Sequence, residues 1–103
     1  MTDRKPDLLG VIKLLPKGGR ISSVFDGYRG HCQVNHSRMQ YSYQINFFEQ
    51  DELAPGESCR GNLTFVMGTI REIGLAIDLD TKLQLNEGGR NIGVFTIDEI
   101  NQQ

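Results

Sequence analysis

The sequence predicts an all-β fold, and three observations support this prediction. Apolar and polar residues alternate over several short stretches, which is the periodicity of strands with one buried face. Turn signals recur about every 8–15 residues, and 12 glycines stand against only 3 prolines. Six or seven short strands separated by such turns are typical of a barrel or a sandwich.

The length of 103 residues is that of one domain. We assign residues 8–100 to a single β-barrel domain, with flexible tails at 1–7 and 101–103. No apolar run approaches the roughly 20 residues that a membrane span needs. The polar first seven residues do not resemble a secretion signal, so we expect a cytoplasmic protein.

In the first half of the chain, the strands are predicted from short alternating stretches. Residues 8–15 form an apolar strand that ends at a proline and a Gly-Gly pair, which we interpret as a hairpin-type reversal. Residues 31–36 alternate, with Cys32 and Val34 on one face. Residues 40–48 give the clearest strand, and the apolar positions on its inner face are Tyr41, Tyr43, Ile45 and Phe47.

The second half is less regular. Residues 50–57 form a loop that ends in a Pro-Gly turn, and residues 59–67 resume the alternation. Residues 68–74 are compatible with a loop or a helical turn, whereas 75–79 and 82–85 alternate briefly. The last stretch, 91–100, alternates through Ile92 and Val94 with Thr96 as a further candidate, then changes phase to Phe95, Ile97 and Ile100. This change indicates a bulge or a strand buried on both faces.

Charge and cysteine content constrain the partners. The net charge is −2, but residues 1–50 carry seven basic against four acidic residues, whereas 51–103 carry four against nine. The sequence pI of about 5.6 argues against general nucleic-acid binding, although it leaves a small local site open. Without a secretion signal, Cys32 and Cys59 are expected to be free thiols in a reducing compartment.

The sequence contains no recognisable catalytic constellation. It has no Gly-rich loop followed by Lys-Ser or Lys-Thr, so we expect no nucleotide site of that type. The candidate metal ligands are His31, Cys32, His36 and Cys59. Adjacent strand residues point to opposite faces, so His31 and Cys32 cannot easily share a metal. Asp78 and Asp80 are expected to be a solvated pair at a strand end. We therefore predict neither a metal nor a cofactor, and no enzymatic activity.

A short phrase occurs twice: Gly-Gly-Arg at 18–20 and again at 88–90, with Gly-Tyr-Arg at 27–29 between them. Glycines reach positive φ without steric cost, so each pair indicates a tight turn that delivers a cation to the surface. The simplest interpretation is a structural reversal with a solvated arginine. For Tyr28, it is a ring packed over the barrel end with its hydroxyl hydrogen-bonded, beside Arg29 in an intramolecular ion pair.

These features occur in an order that resembles the C-terminal β-barrel domain, domain three, of translation elongation factor Tu. The matching segments are 18–20, 25–29 (Phe-Asp-Gly-Tyr-Arg), 55–57 (Pro-Gly-Glu) and 87–93 (Glu-Gly-Gly-Arg-Asn-Ile-Gly), and the resemblance covers roughly residues 8–98. It implies a six-stranded antiparallel Greek-key-type barrel. In the full factor this barrel contacts the GTPase domain, the T-stem of aminoacyl-tRNA and the nucleotide exchange factor.

The resemblance implies that Arg20, Glu87 and Gly88 stand where the family contacts the T-stem. Together with the neighbouring motif residues, the candidate contacts for a protein or RNA partner are Arg20, Tyr28, Arg29, His31, Glu87, Gly88 and Arg90. The chain also departs from the family. Gly30-His31 replaces Pro-Gln, Asn35 falls where an arginine is usual, and 67–80 is about six residues longer. The GTPase domain and the second barrel are missing from the sequence.

Three functional hypotheses follow. The leading one is a non-enzymatic binding module that acts through protein–protein contacts, as a mimic of the factor. The alternative is weak binding of tRNA or another RNA through the retained T-stem-facing residues, which predicts an affinity that falls steeply with salt. Self-assembly is a further alternative, and the sequence leaves the oligomeric state open. We expect no membrane and no nucleotide among the partners.

Overall fold

The computed structural model of the chain describes residues 5–34, 38–68, 70–73 and 76–101. These residues form eight strands and one short helix. In chain order they are β1 (Leu8–Leu14), β2 (Val24–Phe25), β3 (Arg29–Val34), β4 (Gln40–Phe47), β5 (Glu52–Leu53), β6 (Ser58–Phe65), α1 (Ile70–Ile73), β7 (Lys82–Glu87) and β8 (Arg90–Ile100).

Six of the strands form a closed antiparallel barrel in the order β1-β6-β4-β3-β7-β8, and β8 pairs with β1 to close it. Three consecutive strands, β3, β4 and β6, are neighbours, and β1 lies beside β6, which is the Greek-key arrangement. The predicted six-stranded antiparallel barrel is therefore confirmed. Closure leaves the barrel without a free sheet edge.

The alternation in the sequence identifies the inner wall of the barrel. Tyr43, Ile45 and Phe47 of β4 are buried, while Ser42, Gln44 and Asn46 face outward, as predicted. On β3, Cys32 and Val34 are buried, and the last two residues of that predicted strand, Asn35 and His36, lie outside the described residues. The buried set of these six strands forms one core, so the period-2 pattern placed the core correctly.

The phase change in the last strand is a bulge. Leu9 pairs with Glu99 and Gly10 with Ile97, which leaves Asp98 as an extra residue opposite β1. A second irregularity against β7 makes Ile92 and Gly93 consecutive buried residues. As a result, Phe95 and Ile97 face the core, and the expectation that Val94 and Thr96 continue the inner face is wrong.

Two very short strands, β2 and β5, were not predicted. They pair with each other as a separate two-stranded sheet, and Val24 and Leu53 are fully buried. This sheet adds apolar residues to the core from the connections between barrel strands. The predicted turn at 55–56 is present, with Gly56 at a φ of 86°.

The segment 66–81 contains the helical turn that the sequence left open against a loop, and α1 spans four residues. The alternation at 75–79 does not form a strand in its described part, because residues 76–79 carry no strand pairing. Asp78 instead folds a turn before β7, where its backbone and side chain bind Thr81 and Asp80. No helix in the described ranges is long and apolar enough to cross a membrane.

Both ends of the described chain are fixed to the barrel. The buried Asp7 accepts a 2.8 Å hydrogen bond from the amide of Phe65 through its carboxylate. The amide of Asn101 donates to the carbonyl of Asp7, and its side chain donates to the carbonyl of Pro6. The ordered structure thus extends beyond residues 8–100 on both sides.

Candidate functional site

Three of the sequence-predicted residues meet at one end of the barrel. Arg20 comes from the connection between β1 and β2, Tyr28 from the residue before β3, and Glu87 from the end of β7. The guanidinium of Arg20 forms an ion pair with the carboxylate of Glu87. The hydroxyl of Tyr28 donates a 2.6 Å hydrogen bond to the same carboxylate oxygen. We call Arg20, Tyr28 and Glu87 the Arg20 cluster.

Arg20 is held by several contacts. Its Nε donates to the carbonyl of Ser22 at 3.2 Å, and its Nη2 donates to the Ser22 hydroxyl at 3.0 Å and to the Ser23 carbonyl at 3.2 Å. The guanidinium also lies 5.4 Å from the centroid of the Tyr28 ring, within cation–π range. A planar fork with five N–H donors fits such a set of acceptors. Arg20 therefore anchors its own connection to β7, and it is not the solvated arginine of the simplest interpretation.

Tyr28 closes the barrel end as predicted, with its hydroxyl hydrogen-bonded. Burial, the hydrogen bond to Glu87 and the charge of Glu87 together raise the pKa of Tyr28 to about 12. Its ring packs against Tyr43, with centroids 6.4 Å apart. Tyr43 is fully buried, and burial raises the pKa of its hydroxyl strongly. The tyrosines are thus neutral at physiological pH.

The hydroxyl of Tyr43 gives a physical reason for one departure from the family pattern. A Cβ atom on Gly30 would lie 2.9 Å from this hydroxyl and 3.0 Å from the carbonyl of Asn86. Gly30 stands where the elongation factor domain has proline, which carries a Cβ. Among the described residues the Tyr43 hydroxyl has no hydrogen-bond partner. The glycine is therefore required by the packing of Tyr43 in this chain.

The second Gly-Gly-Arg segment is a two-residue hairpin turn between β7 and β8. Glu87 pairs with Arg90, and Gly88 has a φ of 61° at the first turn position. Arg90 is exposed, and its Nη1 donates a 3.4 Å hydrogen bond to the carbonyl of Gly19. Arg20 contacts the residue preceding the second segment, and Arg90 contacts the first. The two segments therefore brace each other.

The first segment does not form the predicted hairpin. β1 and β2 are not paired with each other, because β1 lies in the barrel and β2 pairs with β5. Residues 15–23 form a series of bends, in which the amide of Leu15 donates to the carbonyl of Ile92 and Gly18 has a φ of 82°. The glycine pair permits the bend, but the chain turns toward a separate small sheet.

The remaining candidates, Arg29 and His31, lie on the outer wall of the barrel. Arg29 donates from Nε to the side-chain oxygen of Gln44 at 3.0 Å, a neutral acceptor where an ion pair was expected. His31 is exposed and pairs in register with Ser42 and Asn86. These two residues are separate from the contacts within the Arg20 cluster.

Sequence reasoning missed the most exposed apolar residue of this barrel end. Ile21 is 99% exposed although it directly follows the anchored Arg20, and Phe25 on β2 is 62% exposed. The available signal was a lone isoleucine between an arginine and two serines, outside any alternating stretch. Such a residue has no place on the inner face of a strand.

The other candidates for chemistry do not assemble into a reactive group. Within the described part of the chain, no three His, Cys, Asp or Glu side chains are close enough together to hold a metal ion. His36 lies outside those residues. Cys32 and Cys59 are free thiols, and burial raises the pKa of both, that of Cys32 to about 12. Asp78 and Asp80 belong to the turn before β7.

Comparison with known proteins gives no relative: no family model matches the chain, and no curated protein matches it.

Proposed function

We propose that this chain is a non-enzymatic binding module of the cytoplasm that acts through protein–protein contacts as a mimic of elongation factor Tu domain three. Its partner is a protein that ordinarily recognises that domain, such as the nucleotide exchange factor. The proposal is supported by the placement of the motifs behind the resemblance, since Arg20, Tyr28 and Glu87 come from three motifs and meet at one barrel end. A fold alone does not determine a function, so the argument depends on this end.

The observation that carries the proposal is the exposed Ile21. Its neighbour Arg20 is held by Glu87, Ser22 and Ser23, so the backbone on either side of Ile21 is fixed. An isoleucine on a fixed loop loses little entropy when a partner buries it, and full burial contributes about 1.5–3 kcal/mol. Because Arg20 already binds acceptors of this chain, a protein contact through Ile21 is favoured over a phosphate contact through Arg20.

The test is direct binding of the purified chain to three purified ligands: the nucleotide exchange factor, the GTPase domain of elongation factor Tu, and aminoacyl-tRNA. We expect micromolar binding to one of the two proteins by isothermal titration calorimetry. Ile21→Asp should weaken it by at least about 10-fold, because each 1.4 kcal/mol corresponds to a factor of 10. Failure of both proteins to bind at concentrations up to about 100 μM would refute the mimic.

Leu79→Asp is the matched control for Ile21→Asp. Leu79 is also exposed, at 58%, and it precedes β7 at the opposite end of the barrel. The substitution introduces the same charge on an apolar side chain away from the Arg20 cluster. The affinity of Leu79→Asp should equal that of the unmodified chain. Equal weakening by both substitutions would show that net charge, and not Ile21, controls binding.

The alternative function, weak RNA binding, is favoured by a different surface. The outward-facing side chains of β3 and β4 include no carboxylate; they are Arg29, His31, Gln33, Gln40, Ser42, Gln44 and Asn46. This wall is compatible with phosphate contacts in an otherwise acidic protein. If it binds tRNA, affinity should fall steeply with salt and fall again in Arg29→Ala. A flat salt response would exclude this function.

A further inference from the structure

A cavity of about 140 Å³ lies at the opposite end of the barrel from the Arg20 cluster. It is bounded by the start of β4, the end of β6 and α1, and it opens to solvent on one side. Its lining residues are Gln40, Tyr41, Ser42, Phe65, Met67 and Ile73. Four of these six side chains are predominantly apolar, and two are polar.

The size and the lining of the cavity select one class of ligand. An apolar cavity of about 150 Å³ in another protein is large enough to bind benzene. Tyr41 and Phe65 are packed edge to face here, with centroids 6.3 Å apart and planes at 80°, so an additional ring can extend an existing aromatic contact. We propose that this cavity binds a small molecule with one aromatic ring and one hydrogen-bonding substituent.

The mouth of the cavity explains the substituent. Gln40 is exposed and Ser42 is half-buried, so polar groups lie at the solvent side, where a hydroxyl on the ring can pair with them. Met67 is 80% exposed, and an unbranched thioether adapts to ligands of different outline. Ile73 of α1 packs against the barrel core and closes the other side. The site therefore combines a fixed aromatic wall with an adaptable side chain.

Phenol is the simplest probe of this site, and cyclohexanol is its control. Both have six ring carbons and one hydroxyl, but only phenol has an aromatic face and edge. In titrations of the ¹⁵N-labelled chain followed by NMR, phenol should cause saturable shifts at residues 40–42, 65–67 and 73, with a dissociation constant on the order of 1 mM. Cyclohexanol should bind at least about 3-fold more weakly. Shifts that rise linearly, or that spread evenly over the chain, would overturn the proposal.

Ile73→Trp and Leu79→Trp form a matched pair for the same titration. The first places an indole at the wall of the cavity, and we expect it to abolish saturable binding. The second adds the same indole at an exposed position that is not part of the lining, and it should bind phenol as the unmodified chain does. Met67→Ala, which shortens an exposed side chain, should weaken binding several-fold without affecting the barrel. Unchanged phenol binding in both Ile73→Trp and Met67→Ala would place the ligand elsewhere.

Discussion

The Gly-Gly-Arg sequence occurs twice in this chain, and residues 18–20 and 88–90 fold differently. At 88–90 the glycines form a two-residue hairpin turn, and the arginine is exposed. At 18–20 they form a bend packed on β8, and the arginine is 20% exposed and bound to Glu87. The same three residues thus give a solvent-facing turn in one context and a structural anchor in the other. The difference comes from what each segment contacts.

The largest expected effect comes from removing each arginine. Arg20→Ala loses the ion pair with Glu87, the bonds to Ser22 and Ser23, and the contact with the Tyr28 ring, so it should lower the free energy of unfolding by about 2 kcal/mol. Arg90→Ala loses one 3.4 Å hydrogen bond, so it should cost less than about 0.5 kcal/mol. Urea unfolding of both variants measures the difference. Equal stability losses would show that the two segments are equivalent after all.

The second glycine of each segment gives the next comparison. A Cβ atom on Gly19 would lie 3.1 Å from the Cα atom of Ile92 and 3.3 Å from its carbonyl oxygen, both backbone atoms of β8. Gly19→Ala should therefore cost about 1–2 kcal/mol, because the packed backbone must move apart. Gly89 has nothing within 4 Å of such an atom and no positive φ, so Gly89→Ala should change stability by at most about 0.5 kcal/mol. Thermal or urea unfolding of the pair provides the test. A Gly19→Ala variant as stable as Gly89→Ala would mean that residues 18–20 are not packed on β8.

The contrast between the two segments also shows what the sequence can predict. Long alternating stretches such as 40–48 identify a strand and its buried face, because burial on one side of a sheet repeats every second residue. The two-residue strands β2 and β5 are too short to show any period, and the bulge at Asp98 shifts the pattern within one strand. Local sequence therefore gives the barrel wall but not the small sheet beside it.

The candidate site was predicted in part, for a related reason. The resemblance pointed to Arg20, Tyr28 and Glu87, and the barrel topology brings them together across 59–67 residues of chain. The sequence could not say that Arg20 binds Glu87 within the chain, because both residues also suit contact with a partner. The exposure of Ile21 follows from the fixed bend at 15–23, which depends on contacts with β7 and β8 that are distant in sequence.

The smallest expected effect, and the most specific to the first segment, is a pH dependence carried by Tyr28. Burial and Glu87 raise its folded-state pKa from 10.0 to about 12. Below pH 10 the tyrosine is protonated in both states, so this stability is fully present. Between pH 10 and about 12 the unfolded state releases its proton while the folded state keeps it, so stability falls as pH rises. Cys32, whose pKa is raised from 9.0 to about 12, acts in the same direction from pH 9 upward.

Tyr28→Phe isolates the part that belongs to the Arg20 cluster. The variant should lose about 1 kcal/mol at neutral pH, since one hydrogen bond to Glu87 is gone. Between about pH 9 and pH 11 its free energy of unfolding should fall less steeply than that of the unmodified chain, by well under the limit of about 1.4 kcal/mol per pH unit, because Tyr28 is partly exposed to solvent. Arg90→Ala, altered in the second segment, should run parallel to the unmodified chain. If Tyr28→Phe runs parallel as well, the carboxylate of Glu87 does not hold the Tyr28 proton, and the structural difference between the two arginine segments has no electrostatic consequence.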